Sequence, residues 1–472
     1  MTARRLVAGV DSSTQSTKVE IRDLDSGLVV ARASAPHPAT TPPRSEQDPH
    51  AWWVAFEQAW AHVDAPRVEA ISVAGQQHGM VVLDADRQVI RPAKLWNDTE
   101  SAPDADWLVK QLPGRAAEWA ASVGSVPRAS FTATKLSWMH RCEPDLWRRV
   151  AHVMLPHDWL NLQLCGELVT DRGDASGTGY WSPITGGYRF DVLALIDGDL
   201  DWHSVVPRVA APDEVIGHWE GASVTCGTGD NMAAALGLAV SAGEAVVSLG
   251  TSGTAFTVAD RPSADALGKV AGFADATGRY LPLVCTLNAT KVTDAAARLL
   301  GVDHGGFDRL VHDGTRGSDG VTLLPYFDGE RTPDLPAATG AIVGMRSDIS
   351  REQLARASVE GVVCGLLDAL DALAEHAEVT SIVLTGGGAR SAAYQSVFAE
   401  LGRLPVAIAD ADEAVAAGAC VQAAAVADGV PHSEIVRRWK LGAREAVPAV
   451  SSDVSGVRER YAELRRTLHP TS

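Results

Sequence analysis

One short pattern of residues occurs twice in this chain, about half a chain apart. Leu6–Ile21 is typical of an apolar strand, a small polar turn and a second strand, and Ala245–Val258 repeats that order. Both turns are rich in small polar residues, so backbone N–H groups and hydroxyls can surround an anion. For either turn alone an ordinary β-hairpin is the favoured interpretation, but the matching pair favours two turns that hold a polyphosphate. Only the first turn carries a carboxylate, Asp11, as an asymmetric metal–phosphate site requires.

Composition excludes several classes of function. The 472 residues include 41 Lys and Arg against 59 Asp and Glu, a formal net charge of -18. This charge argues against nucleic-acid and anionic-membrane partners, because both favour Lys and Arg. No apolar stretch reaches the roughly 20 residues of a membrane helix, and no signal-peptide pattern precedes the first strand. Six scattered cysteines without a C-x-x-C pair predict reduced, buried thiols in a cytoplasmic protein.

The order of predicted elements indicates two similar domains. Asp48-Pro49 is typical of a helix start, and Glu413–Ala427 predicts an alanine-rich helix suited to close packing on a sheet. Met232–Ala239 predicts a helix of small residues, and the hairpin pattern recurs just after it. We therefore predict a boundary near Gly237, with domains at residues 1–237 and 238–472. Alternating strands and helices with an internal repeat predict an α/β fold in both.

A triple-glycine turn follows the predicted strand Ser381–Thr385. Gly386–Gly388 does not fit G-x-G-x-x-G, so the dinucleotide-binding fingerprint is missing. The absent side chains would let a flat ring or a phosphate approach the backbone. A tight strand-to-helix turn that needs positive φ would use the same residues. The turn is therefore compatible with a nucleotide contact without requiring one.

Two further motifs carry candidate chemistry. In Cys226–Asn231, glycines lead to a predicted helix start, and Asp230 stands where an N-cap would stand. Asp230 is interpreted either as that cap or as a general base that accepts the proton of an attacking hydroxyl. In Gly75–Gly79, amide and imidazole groups would suit polyol hydroxyls, although a histidine with only structural contacts is the plainer interpretation. Asp98, in Trp96–Asp98, is likewise either a sugar contact or a turn residue.

Taken together and in order, these motifs resemble those of the FGGY carbohydrate kinases. The resemblance runs from end to end and is greatest to the xylulokinase branch, whose sugar loop and G-E-R-T-P loop are similar to two segments here. The segments that carry it are Asp11 with its turn, Ser45–Pro49, Trp52-Trp53, Gly75–Gly79, Trp96–Asp98, Gly229–Asn231, Leu249–Gly253, Gly329–Pro333 and Gly386–Ser391.

The resemblance implies an α/β fold of two actin-like, ribonuclease-H-type ATPase domains with a nucleotide and sugar cleft between them. It implies transfer of the ATP γ-phosphate to D-xylulose in xylose catabolism, with a kinase for ribulose, a heptulose or glycerol as the alternative. A non-catalytic nucleotide-binding regulator of the same fold is a more distant alternative, and a homodimer through the Trp-rich N-terminal half is left open. The implied partners are a small sugar and ATP, without nucleic acid or membrane.

Each implied role falls on matching positions of this chain. Asp230 would be the catalytic base, and Asp11 would orient Mg²⁺. Closure of the domains would exclude water from the reaction. The implied sugar contacts are Gln77, His78 and Asn231, and the implied ATP contacts are Ser13, Thr14, Lys18, Gly250, Thr251, Ser252, Gly387, Gly388 and Ala389.

Overall fold

The chain folds into two compact units. The structure is a computed structural model that describes residues 4–64, 67–450 and 454–470. The first unit comprises the chain up to Ala239, together with Asp260–Leu281 and Glu413–Gly442. The second unit comprises Val240–Ala259, Pro282–Asp412 and the chain from Ala443 onward. The chain therefore returns to the first unit twice after leaving it.

The main sheet of the first unit begins with an antiparallel meander of three strands. These are Leu6–Ser12, Ser16–Asp23 and Val29–Pro36. Ala70–Gly75 pairs in parallel on the free side of the first strand, and Ala222–Thr225 pairs in parallel with Ala70–Gly75. Val215–Trp219 closes the sheet as an antiparallel edge strand. The central strand Leu6–Ser12 is buried along its whole length, which places Asp11 in the interior.

The main sheet of the second unit repeats this order. Its meander consists of Gly243–Leu249, Gly253–Thr257 and Tyr280–Thr286. Val379–Thr385 pairs in parallel with the first of these strands, and Val406–Ala409 pairs in parallel with Val379–Thr385. Arg444–Ala446 is an antiparallel edge strand. The repeated hairpin predicted from the sequence is thus confirmed as the start of each sheet, in the ribonuclease-H-type order that the resemblance implied.

The remaining elements surround these two sheets. The helices of the first unit are Pro49–Val63, Ala102–Gln111, Arg115–Val123, Thr132–Cys142, Pro144–Trp147, Pro156–Cys165, Arg172–Ala175, Phe190–Ile196, Trp202–Val205, Asp230–Gly237, Ala414–Asp428 and His432–Arg438. Its shorter strands are Glu46–Gln47, Val81–Leu83, Ala93–Lys94, His152–Met154, Val169–Asp171, Trp181–Ser182, Gly187–Tyr188, Arg208–Ala210, Thr228–Gly229 and Ala271–Ala274. The second unit adds helices Thr290–Leu300, His304–Asp313, Arg351–Ala374, Ala392–Leu401 and Ser455–Leu468, 3₁₀ turns Ser318–Gly320 and Gly387–Arg390, and strands Thr322–Leu324 and Ala341–Val343.

The alanine-rich helix Ala414–Asp428 packs unusually close to its neighbours in the first unit. A Cβ built on Gly418 would lie 1.9 Å from the carbonyl oxygen of Ala233, and one on Gly9 would lie 2.3 Å from that of Ala416. Only glycine fits at such distances, because any side chain would overlap backbone atoms. This confirms the close helix–sheet packing expected of the segment, and it fixes helix Asp230–Gly237 against the sheet.

Two expectations from composition can be compared with the structure. All six cysteines are free thiols, and three are buried, but Cys142 is exposed, so the expectation of burial is wrong for that residue. In the part of the chain that the structure describes, no single helix is long and apolar enough to cross a membrane. Ala414–Asp428 and His432–Arg438 pass that test only as a pair, by length and composition, and are bent by 110°.

Candidate active site

Asp11 lies at the carboxyl end of the central strand of the first unit. Its side chain is 5% exposed, and Oδ2 lies 3.6 Å from the Nζ of Lys18 on the neighbouring strand. Lys18 in turn donates to Oε2 of Glu413 at 2.6 Å. Burial raises the pKa of Asp11 to about 6, although the charge of Lys18 acts in the opposite direction. The ammonium of Lys18, an expected ATP contact, is thus held between two carboxylates.

The hydroxyl of Thr14 is held by side chains from two other segments. Thr14 Oγ1 donates to Gln76 Oε1 at 3.2 Å and accepts from Trp96 Nε1 at 2.8 Å. The Thr14 carbonyl accepts from Gln47 Nε2 at 3.0 Å. Ser13 Oγ donates to the carbonyl of Ser16 at 3.0 Å, so the turn also closes on itself. These bonds tie the Ser13–Thr14 turn to the Gly75–Gly79 loop, a connection that motif reading did not predict.

Asp98 has a structural role in the segment that carries Trp96. Its Oδ2 accepts from the backbone N–H of Ser45 at 2.9 Å and from Lys94 Nζ at 3.1 Å. Its Oδ1 accepts from the backbone N–H of Glu100 at 3.1 Å, and Asp98 is fully buried. These contacts favour the turn-residue interpretation of Asp98 over the sugar-contact one.

The Gly75–Gly79 loop presents Gln77 and His78 at the end of a buried strand. His78 has φ of 67°, a left-handed conformation that is uncommon for a residue with a Cβ. Its ring lies 5.0 Å from that of Phe131 and 5.5 Å from that of Phe273, centroid to centroid. Nδ1 lies 2.7 Å from the carbonyl oxygen of Gly177, which can only accept, so Nδ1 carries the proton. Packing and hydrogen bonding thus fix this imidazole in one orientation.

Asp230 is the first residue of helix Asp230–Gly237, and Gly229 is its N-cap. The N-cap interpretation of Asp230, one of the two that the sequence left open, is therefore wrong by one position, because the helix begins one residue earlier than the glycines suggested. Asp230 Oδ1 accepts from the backbone N–H of Asn231 at 2.8 Å and from its Nδ2 at 2.9 Å. Asn231 Nδ2 also donates to Gln77 Oε1 at 2.9 Å. The predicted base and two predicted sugar contacts thus form one hydrogen-bonded group.

The carboxyl of Asp230 is in an environment that disfavours its charge. Burial raises its pKa from 3.8 to about 7, and the negative charges of Asp11 and Asp174 act in the same direction. The two hydrogen bonds from Asn231 oppose the shift. A carboxyl with this pKa can accept a proton near neutral pH, as a general base must.

Several polar atoms around these residues are buried without a protein partner. Within the described ranges, Asp11 Oδ1, Gln76 Nε2, Gln77 Nε2 and Asn97 Oδ1 make no hydrogen bond. Buried polar atoms are nearly always paired, so unpaired ones gathered in one region of a fold indicate a polar ligand. The two amide nitrogens can donate and the two oxygens can accept hydrogen bonds. A polyhydroxylated ligand and a metal-bound water would require such groups.

The second unit carries a separate cavity of about 500 Å³ beside its hairpin turn. Gly250, Thr251, Gly387 and Gly388 line it, as expected for ATP contacts. A Cβ on Gly387 would meet no atom within 4 Å, whereas one on Gly388 would lie 2.8 Å from Thr290 Cγ2. Gly386 has φ of 84°, so the turn also needs glycine for its conformation. The tight-turn interpretation therefore applies at Gly386, and the nucleotide contact at Gly387 stays a prediction.

Not every expected ATP contact lines this cavity. Ser252 and Ala389 are absent from its walls, and Ala389 is 2% exposed. The sequence did not predict the remaining wall residues of this cavity. They lie in helix Thr290–Leu300, in the first half of helix His304–Asp313, and in the segment that follows the triple glycine. They include Thr290, Thr293, Asp294, His304, Phe307, Asp308, Arg390 and Tyr394. The predicted helix directly after the three-stranded meander was the one sequence signal that could have indicated these residues. Helical periodicity, however, does not show which face of a helix borders a cavity.

Family models match both halves of the chain. Residues 6–237 match the N-terminal domain of the FGGY family of carbohydrate kinases, and residues 245–427 match its C-terminal domain. The chain belongs to the FGGY family of carbohydrate kinases. As an FGGY kinase it has the two-domain actin-like, ribonuclease-H-like fold of that family, and a sugar and ATP are its substrates.

Individual proteins resemble this FGGY kinase over nearly its whole length. A Streptomyces coelicolor protein named xylulose kinase is 46% identical over 461 residues, 95% of this chain and 93% of that protein. A Haemophilus influenzae protein of the same name is 34% identical and covers 88% of this chain. The crystal structure of xylulose kinase from Bifidobacterium adolescentis matches with a TM-score of 0.87 and 38% identity, covering 98% of this chain and 100% of that one.

Proposed function

We propose that this FGGY kinase transfers the γ-phosphate of ATP to the 5-hydroxyl of D-xylulose, giving D-xylulose 5-phosphate and ADP. The observation that carries the proposal is 46% identity, over 95% of the chain, to a protein named xylulose kinase. The residues support it chemically, since a carboxyl with a pKa near 7 is hydrogen-bonded to Asn231, whose amide also donates to Gln77 in a loop suited to a polyol. ATP is a cytoplasmic metabolite, and we infer that the enzyme acts in the cytoplasm.

In this proposal, Asp230 accepts the proton of the sugar hydroxyl as the hydroxyl oxygen attacks the γ-phosphorus. Asn231 orients the carboxylate through two hydrogen bonds to Oδ1, at 2.8 and 2.9 Å. Gln77 and His78 bind sugar hydroxyls, and the fixed orientation of the His78 ring between Phe131 and Phe273 limits which hydroxyl pattern fits. Removing the proton during attack lets the new O–P bond form without a build-up of positive charge on oxygen.

Asp11 fits the role of a Mg²⁺ ligand. Its carboxylate is an oxygen ligand of the kind that Mg²⁺ prefers, and in the described chain its buried Oδ1 has no hydrogen-bond partner. Mg²⁺, when bound, would neutralise negative charge on the ATP phosphates. Lys18 adds a positive charge beside Asp11. Thr14 would contribute its backbone N–H to the phosphates, because its hydroxyl donates within the protein. The N–H and the hydroxyl of Ser13 both donate to the Ser16 carbonyl at 3.0 Å, so Ser13 would contact the phosphates only after one of these bonds opens.

We assign the nucleotide to the second unit on the strength of its 500 Å³ cavity. Gly250 and Thr251 would contact phosphates, while Gly387 and Gly388 would support the adenosine; the expected contacts Ser252 and Ala389 lie outside the cavity walls. The open space at the Cβ position of Gly387 leaves a flat wall for a ring. We thus infer that residues 1–237 supply the sugar and catalytic groups and that residues 238–472 supply the ATP site.

The test is ADP release with Mg-ATP and a panel of D-xylulose, D-ribulose, a heptulose and glycerol. We expect D-xylulose to have a kcat/KM at least tenfold above that of every other sugar, because a missing hydroxyl contact leaves buried polar groups unpaired. Equal rates across the panel would leave a carbohydrate kinase of other specificity. ATP binding without ADP release for any sugar would indicate a protein without catalytic function.

A further inference from the structure

Four residues of the first unit form a buried histidine cluster, defined here as His157, Asp158, Asp171 and Asp174. His157 Nδ1 lies 3.0 Å from Asp174 Oδ2, and Nε2 lies 3.1 Å from Asp158 Oδ1 and 3.5 Å from Asp171 Oδ1. None of the four is more than 2% exposed. The cluster is therefore one cationic group among three carboxyls, away from water.

The charge state of the buried histidine cluster is unusual for a protein interior. Burial alone would lower the pKa of His157, but Asp158 and Asp174 raise it to about 9, so the imidazole is positively charged at neutral pH. Burial raises the pKa values of Asp158 and Asp174. Removing several ionisable groups from water is costly, and apolar residues of similar size often give a more stable protein. Stability alone therefore does not account for these residues.

One side of the cluster contacts the segment that leads to Asp230. Asp171 Oδ2 accepts from Thr228 Oγ1 at 2.8 Å, two residues before Asp230. Asp171 also accepts from the backbone N–H groups of Gly173 and Asp174 at 2.7 and 2.9 Å, which fixes its own carboxylate. A Cβ on Gly227 would lie 3.0 Å from His157 Cδ2, so the same segment passes directly over the imidazole.

The other side of the cluster contacts the loop that carries Gln77 and His78. A Cβ on Gly75, where this loop begins, would lie 2.8 Å from the Cβ of His157. The carboxyl of Asp174 accepts a hydrogen bond from the backbone N–H of His78. This bond and the larger effect of the His157 side chain lower the pKa of Asp174, whereas burial raises it. Gly177, three residues after Asp174, accepts from the His78 ring at 2.7 Å. One buried group thus touches both segments assigned to the sugar and to the catalytic base.

We propose that the buried histidine cluster positions the Gln77–His78 loop and Asp230 relative to each other for phosphoryl transfer. In this arrangement Asp171 and Asp174 are positioning residues, and the imidazolium of His157 holds their carboxylates in place. Asp174 also contributes negative charge near Asp230. The inference rests on the proposed function, because it needs Asp230 to be the base.

The test compares Asp174→Asn with Asp158→Asn. Both changes remove one carboxylate from the cluster. Asp158, however, caps its own helix by accepting from Leu155 N at 2.8 Å, and within the described chain it makes no hydrogen bond to either segment. For Asp174→Asn we expect kcat with D-xylulose to fall at least tenfold, with KM for ATP changed less than twofold. We also expect the acidic limb of its kcat/KM profile to move to lower pH. The negative charges of Asp11 and Asp174 raise the pKa of Asp230, while the hydrogen bonds from Asn231 lower it, so removing the charge of Asp174 lowers that pKa. Asp158→Asn should leave the position of that limb unchanged.

A second variant covers the case in which Asp174→Asn does not fold. Thr228→Val keeps every charge and the side-chain shape but removes the hydrogen bond to Asp171. It should lower kcat at least threefold without moving the pH profile. Wild-type kcat with Asp174→Asn and Thr228→Val, or equal pH shifts in Asp174→Asn and Asp158→Asn, would overturn the proposal. Failure of wild-type protein to phosphorylate D-xylulose would instead overturn the proposed function.

Discussion

Asp230 combines a catalytic requirement with a cost to stability. Its pKa is raised from 3.8 to about 7 mainly by burial, so its ionised form is less stable in the folded protein than in water. An unfolded chain releases this proton near pH 4, whereas the folded chain keeps it to about pH 7. The contribution of Asp230 to folding stability is therefore lost as pH rises through this range, the reverse of the usual behaviour of a salt-bridged carboxylate.

The variant Asp230→Asn separates the two effects. Asparagine can still accept from Asn231 but cannot take a proton, so we expect kcat to fall by a factor of roughly 10² to 10⁴. At pH 8 the variant should be more stable than the wild type by about 1 kcal/mol or more, a gain that disappears near pH 4. ADP release and urea unfolding at both pH values measure these effects. A folded variant with most of its activity would mean that the base lies elsewhere.

The same pKa predicts the pH dependence of the wild-type enzyme. A base must be deprotonated, so kcat/KM for D-xylulose should fall about tenfold per pH unit below about pH 7. The check is a profile from pH 5.5 to 9 in one mixed buffer at constant ionic strength. Circular dichroism over the same range excludes unfolding as the cause. An acidic limb that begins only below pH 5 would contradict a raised pKa at the base.

At the scale of single elements, the turn Gly387–Arg390 illustrates how a missing side chain creates a binding surface. Gly387 lines the 500 Å³ cavity and has nothing within 4 Å of its Cβ position. The variant Gly387→Leu should therefore project into the cavity without a clash in the protein. We expect KM for ATP to rise about tenfold, equivalent to roughly 1.4 kcal/mol of binding, with KM for D-xylulose and the melting temperature nearly unchanged.

Gly187→Leu is the matched control for this variant. Gly187 also has nothing within 4 Å of its Cβ position but lies in the strand Gly187–Tyr188, outside the cavity. Its substitution should leave both KM values unchanged. Steady-state kinetics with either substrate varied gives the comparison. An unaltered KM for ATP in Gly387→Leu would remove the cavity as the nucleotide site.

The contact between helices Asp230–Gly237 and Ala414–Asp428 allows no added atom. Because a Cβ on Gly418 would lie 1.9 Å from the Ala233 carbonyl oxygen, Gly418→Ala must push the two helices apart. We expect it to destabilise the protein by about 2 kcal/mol or more, against the usual preference of helices for alanine.

Gly305 is the control for this variant, because it is exposed and the nearest atom to a Cβ built on it is 3.7 Å away. Gly305→Ala should therefore stabilise the protein by a few tenths of a kcal/mol. Equal unfolding midpoints for the two variants would contradict this account.

At the scale of the whole molecule, the sequence predicted the two repeated sheets but not the two later segments, Asp260–Leu281 and Glu413–Gly442, that return to the first unit. The repeated hairpin marks the start of each sheet. It can be recognised in the sequence because the strands of an antiparallel hairpin follow one another closely along the chain. The candidate site was predictable only where motifs are short, as at Asp11, Gln77–His78 and Asp230. The buried histidine cluster and the cavity walls were not, because sequence cannot distinguish a buried aspartate from an exposed one. The N-cap was misplaced by one residue because helix ends depend on backbone angles that several sequences tolerate.

The charge of the whole molecule predicts how salt affects its two substrates differently. The formal net charge of -18 repels Mg-ATP, an anion, but exerts no comparable force on a neutral ketose. Added salt screens this repulsion, since the Debye length falls from about 30 Å at 0.01 M to about 8 Å at 0.15 M. We therefore expect kcat/KM for Mg-ATP to rise about twofold or more over this range, at fixed free Mg²⁺ and saturating D-xylulose. The kcat/KM for D-xylulose, at saturating Mg-ATP, serves as the internal control and should stay constant. A fall of kcat/KM for Mg-ATP would mean that local cations at the nucleotide site outweigh the field of the whole protein, and a charge-reversal variant at Arg390, which lines the 500 Å³ cavity, would then be the next measurement.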